Sequence, residues 1–99
     1  MMADNLGYSA SLHFKGKPNI WEFKPDPRYG MLTHTTRAGN TYGIIVGKSY
    51  APVIWIGQLT MIKQNGETAY RWYNATSKLR IERIEFSDGG KYLFPNSIF

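Results

Sequence analysis

Residues 52–86 read PVIWIGQLTMIKQNGETAYRWYNATSKLRIERIEF, and the pair Asn65-Gly66 divides them into two strand-like apolar runs. A two-residue type I′ turn needs positive φ at both central positions, which Gly and Asn adopt at little cost, so Asn-Gly here predicts a tight hairpin. Counting outward pairs Gln64 with Glu67, Ile62 with Ala69, Met61 with Tyr70, Thr60 with Arg71, Leu59 with Trp72 and Gln58 with Tyr73. Successive pairs point to opposite faces. Leu59, Met61, Tyr70 and Trp72 are therefore expected on a core face, and Gln58, Thr60, Arg71 and Tyr73 on a largely solvated one.

Beyond Tyr73, a four-residue loop Asn74–Ser77 would set Lys78 opposite Tyr73, Leu79 opposite Trp72, Arg80 opposite Arg71 and Ile81 opposite Tyr70. The apolar parity then shifts to Ile84 and Phe86, which requires a bulge near Glu82-Arg83. A short helix Lys78–Glu85 capped by Ser77 is the competing reading, since Lys, Leu, Arg and Glu favour helix. On the other side of the hairpin, Val53-Ile54-Trp55-Ile56 is apolar on both faces and predicts a central strand, with Gly57 as a bend.

Upstream, Tyr8, Ala10, Leu12 and Phe14 alternate with Ser9, Ser11 and His13 as a half-buried strand, ended by Lys15-Gly16-Lys17-Pro18-Asn19. Trp21 and Phe23 form a short partner strand that Pro25-Asp26-Pro27 should stop, leaving a loop through Gly30. Met31–Arg37 reads as a strand closed by Ala38-Gly39-Asn40, and Tyr42, Ile44 and Val46 alternate in the next one. Its Gly43 and Gly47 suggest a bulge or a close approach of another backbone. Lys48–Ala51 connects to the hairpin. After the turn Ser87-Asp88-Gly89-Gly90, Tyr92-Leu93-Phe94 predicts a last short strand ended by Pro95.

The chain has 99 residues, 42% of them apolar, with seven Tyr, five Phe and three Trp. That suits one compact core and excludes a second. With no cysteine there is no disulfide framework or thiolate metal site, which points to a reducing, cytoplasmic setting. Residues 1–7 read as a loose leader without a signal-peptide pattern, and no apolar run is long enough for a membrane span. Asn74-Ala75-Thr76 matches a glycosylation sequon but reads as a turn. Twelve Lys and Arg against seven Asp and Glu give a net charge of +5, which favours acidic partners. The basic residues fall evenly, six in residues 1–50 and six in residues 51–99.

The candidate site follows from the hairpin register. Gln58, Thr60, Arg71, Tyr73, Lys78 and Arg80 would share the outer face, with Arg71 directly opposite Arg80. Like charges in a cross-strand pair repel, so something should compensate; the functional reading is an anionic ligand, in which cations track a phosphate backbone while an exposed Tyr stacks a base. Pairing with Glu82, Glu67 or Glu85 is the competing explanation. Lys15-Gly16-Lys17 and Asp88-Gly89-Gly90-Lys91 offer amides and a cation to phosphate, but both read more simply as hairpin turns. Thr36–Tyr42 resembles, over seven residues and at no diagnostic position, loops of small OB-fold single-strand binders, which assigns no family. His13 and His34 lack the ligands of a metal site, and no nucleophile elbow or paired carboxylates suggest catalysis.

The sequence thus predicts an all-β domain over residues 1–99, a small antiparallel barrel or strongly curved sheet of about six to seven short strands with at most one short helix. It predicts a non-enzymatic binding module without cofactor or metal. The first expectation is single-stranded nucleic acid bound through Arg71, Tyr73, Lys78, Arg80, Thr60 and Gln58. The alternative is a protein-interaction or assembly module with an acidic partner or a second copy, using Tyr50, Trp55 and Tyr73 or an open strand edge. A small-molecule barrel or an enzyme with an unrecognised site comes third. A self-associating chain would follow if the apolar face around Ile54 and Ile56 were not covered in cis.

Overall fold

The computed structural model describes residues 9–47 and 53–94; the leader 1–7, Tyr8, the connector Lys48–Ala51 with Tyr50, and Pro95 lie outside the described residues. The strands are β1 (Ala10–Phe14), β2 (Ile20–Asp26), β3 (Met31–Thr35), β4 (Thr41–Val46), β5 (Ile54–Gln64), β6 (Glu67–Asn74) and β7 (Ile81–Phe86). All seven belong to one antiparallel sheet in the order β6-β5-β4-β3-β2-β1-β7. Among the described residues there is no helix, and so none long and apolar enough to cross a membrane.

The β5–β6 hairpin has the register that its turn dictates. Asn65 and Gly66 have φ of 53° and 80°, and every pair from Gln64↔Glu67 to Gln58↔Tyr73 stands as counted. Alternation along β5 nevertheless places the main core on the other face. Ile54 and Ile56 are 2% and 0% exposed and share a cluster with Ala10, Leu12, Phe23, Leu32, Ile44 and Phe86. On the expected core face, Leu59 is buried, but Met61 and Tyr70 are 43% and 38% exposed. β4 ends opposite Leu59 at Thr41, so from Thr60 and Arg71 outward the hairpin is a two-stranded ribbon with nothing beside it in the sheet.

The core contacts require curvature. β5 and β1 lie four places apart in the sheet, roughly 19 Å if it were flat, yet their side chains share one cluster. The chain therefore covers the Ile54 and Ile56 face with its own β1, β2 and β7. The curved-sheet expectation holds and the barrel does not: β6 and β7 are the two edges and make no ladder with each other.

Residues 75–80 cross between those edges, and this overturns the four-residue loop and the third hairpin strand. β7 pairs with β1, so Lys78, Leu79, Arg80 and Ile81 do not stand opposite Tyr73, Trp72, Arg71 and Tyr70, and the Arg71–Arg80 opposition does not exist. The strand reading of Ile81–Phe86 holds over the helix. So does the bulge: Phe14 pairs with Ile81 and His13 with Arg83, leaving Glu82 as the extra residue.

Pro25 does not stop β2, which pairs Pro25 with Leu32 and Asp26 with Met31. The β1 ladder ends at Ala10↔Phe23, so Pro25 occupies a stretch of β2 with a neighbour on one side only, where a missing N–H is tolerated. The Pro-rich loop shrinks to a tight turn in which Asp26 O accepts Tyr29 N and Gly30 N at 3.1 and 3.0 Å. Gly43 and Gly57 pair with each other across β4 and β5. Each makes room for a side chain rather than a bulge or bend: a Cβ on Gly57 would collide with the Trp72 indole, and one on Gly43 with Met31 and Leu59. Of the predicted last strand, only the parallel bridge Val53↔Leu93 forms.

Candidate functional site

The crossing 75–80 takes its shape from Thr76. Where β6 ends, Ala75 N still donates to Ile56 O at 2.7 Å. The Thr76 hydroxyl then accepts from Ile56 N at 2.7 Å and donates to Ile56 O at 3.3 Å. A 3% exposed side chain here replaces a backbone ladder partner. Asn74 Oδ1 accepts Thr76 N at 3.0 Å, and Ala75 O accepts Lys78 N and Leu79 N at 3.0 and 3.1 Å. The sequon is thus a turn, as expected, and it directs Lys78 and Arg80 away from the hairpin.

Arg80 O accepts Lys15 N at 2.9 Å, which brings the β1–β2 turn against the crossing. Phe14, Lys15, Lys17, Asn19, Trp21, Lys78, Leu79 and Arg80 line the resulting cleft of about 340 Å³. A second hollow of about 480 Å³ shares Lys15, Leu79 and Arg80 and extends to Glu82 and Phe94. Lys15, Lys17, Lys78 and Arg80 are exposed and make no ion pair among the described residues. No carboxylate lines the first cleft.

Two cations elsewhere, Arg28 and Arg83, are neutralised by carboxylates. Arg28 Nε and Nη2 donate to the Asp26 carboxylate at 3.0 and 2.9 Å, and the Thr33 hydroxyl donates to it at 2.9 Å. The Arg28 bonds and, against the opposing effect of burial, the Thr33 bond hold the Asp26 carboxyl below its ordinary range. Arg83 donates to Glu85 at 2.8 Å and to Glu82 at 2.6 Å. The Arg83 bond likewise lowers the Glu85 carboxyl.

An aromatic path leads from the cleft across the core-side face. Phe14 meets Trp21 edge-on at 4.8 Å, His34 stacks on Trp21 at 5.0 Å, and Tyr42 tilts against Trp21 at 4.8 Å. The His34 ring is fixed by its Nδ1, 3.0 Å from Glu22 O. His34↔Tyr42, Tyr42↔Gln58 and Gln58↔Tyr73 are successive cross-strand pairs, so these four side chains form one row ending at Tyr73, which is 51% exposed. Thr60 and Arg71 follow one pair further out on the ribbon.

The six predicted residues therefore divide. Lys78 and Arg80 enter the cleft, Gln58 and Tyr73 end the aromatic row, and Thr60 and Arg71 stand beyond it. Phe14 and Trp21 read in sequence only as alternating strand residues; Lys15-Gly16-Lys17 is a hairpin turn, as its sequence reads more simply, and its two lysines line the cleft together with Lys78 and Arg80. The Asp88-Gly89-Gly90 turn is self-contained, with Asp88 Oδ1 accepting Gly90 N at 2.7 Å. His13 lies on the face opposite His34, its Nε2 3.5 Å from Glu85. Among the described residues no group of three or more His, Cys, Asp or Glu side chains is placed to hold a metal ion. Comparison with protein-family models, curated proteins and solved structures finds no match.

Proposed function

We propose that the protein binds single-stranded nucleic acid, with phosphates held by Lys15, Lys17, Lys78 and Arg80 and bases passing along the row toward Tyr73. The observation that carries this reading is the cleft ringed by four cations without ion pairs and backed by Phe14, Trp21 and Leu79. Phosphate attraction supplies affinity without sequence preference, and stacking on an aromatic side chain adds about 1–3 kcal/mol per base. Arg71 and Thr60 extend the same face and add charge and a hydroxyl at its far end. An acidic protein segment would meet the same cations; the exposed Tyr73 ring favours the nucleic acid, because a base stacks on it and a carboxylate does not.

Fluorescence anisotropy with a labelled oligonucleotide tests the proposal. Binding should weaken with salt with a slope of log K on log salt near −3, about 0.7 for each cation engaged. Lys17→Ala combined with Arg80→Ala should lower that slope in magnitude by about 1.4, with the fold intact because both side chains are exposed. Absence of binding at low salt, or a double variant that binds like the parent, would refute the proposal.

A further inference from the structure

We propose that the outer edge of β6 is a self-association surface, on which a second copy of this chain adds its own β6 antiparallel in a register centred on Ala69. β6 is the last strand of the sheet, eight residues long, without proline and without a bulge in its pairing with β5. Such an edge presents a free row of amides and carbonyls. Ala75 N donates to β5 through Ile56 O, and backbone direction alternates along a strand. The N–H and C=O groups of Thr68, Tyr70 and Trp72 therefore point away from β5.

A two-fold pairing of this edge must match outward residues with outward ones, which restricts its axis to a residue position. Charge chooses among the positions. Glu67 and Arg71 lie on the same face of β6, about 13 Å apart, too far to bond each other, and neither makes an ion pair among the described residues. An axis at Ala69 sets each Glu67 opposite the other copy's Arg71, twice over by symmetry. An axis at Tyr70 leaves both charges without opposite partners, and an axis at Arg71 places arginine against arginine. With the axis at Ala69, Thr68 exchanges ladder bonds with the other copy's Tyr70, on the ribbon where Met61 and Tyr70 are 43% and 38% exposed. A two-stranded ribbon is marginal by itself, and the pairing makes it part of a wider sheet.

Light scattering of the full chain over a concentration series decides the matter. The mass should rise from 11.3 kDa to twice that value. Glu67→Arg alone and Arg71→Glu alone should each hold it at the monomer mass, since each places like charges opposite one another at two points. The two changes together should restore the dimer. Thr68→Pro, which removes only an outward N–H, should give a monomer with an unchanged circular dichroism spectrum. A parent protein that stays monomeric, a mass beyond the dimer, single variants that still dimerise, or a double variant that does not would each overturn the proposal.

Discussion

The two faces of β5 are built from one alternating sequence and end in different environments. On one face Ile54 and Ile56 are sealed by β1, β2 and β7. On the other, Tyr29, Met31 and Leu59 form a smaller cluster edged by Ile45 and Trp72, and the face runs out into solvent at Met61. Trp55, on this second face, is 38% exposed. Alternation separates the faces of a strand, but which face becomes the main core depends on which remote elements arrive to cover it.

Truncations on the two faces should differ accordingly. Ile56→Ala should cost about 2–5 kcal/mol in denaturant unfolding, the range for emptying a closed core site. Met61→Ala, at an exposed position, should stay within about 0.5 kcal/mol. Comparable costs would mean that the ribbon is as well packed as the core. Gly57→Ala comes next, at about 1–3 kcal/mol, because the new methyl displaces the Trp72 indole. Tryptophan emission should shift with it, and an unchanged spectrum would show that Trp72 does not rest on Gly57.

Asp26→Asn should cost less than Gly57→Ala, about 1 kcal/mol. Its carboxylate secures the turn that carries Tyr29 to Leu59 and, edge-on at 5.3 Å, to Tyr70. The folded-state pKa of Asp26 is depressed, so its contribution is present above the unfolded carboxyl pKa and disappears as pH falls through the folded value. Acid unfolding curves of the parent and Asp26→Asn should converge at low pH and separate toward neutral. A constant gap would assign the loss to packing.

Local chemistry made the hairpin legible. Asn65-Gly66 set its register to the residue, and the switch of parity toward Ile84 and Phe86 revealed the bulge at Glu82. Legibility failed where a distant partner decides. After Asn74 the sequence still alternates, but Thr76 binds the Ile56 backbone and carries the chain to β1, which no local pattern encodes. Pro25 looked like a ladder breaker because its one-sided position depends on where β1 ends. The cleft was visible in halves, Lys15-Gly16-Lys17 in one segment and Lys78 with Arg80 in another, without any sign that they meet.

The sheet order also bears on how the cleft comes into being. From β1 to β6 every pairing joins strands adjacent in the chain, a meander whose loops close cheaply. Only β7 against β1 joins the first and last strands, and it closes a loop of roughly two thirds of the chain, from Phe14 to Ile81. The bond from Lys15 N to Arg80 O continues that pairing, so the cleft's two halves are held together by the most entropically demanding contact in the topology. The cation cluster is thus a property of the completed fold, and no single segment of the chain carries it.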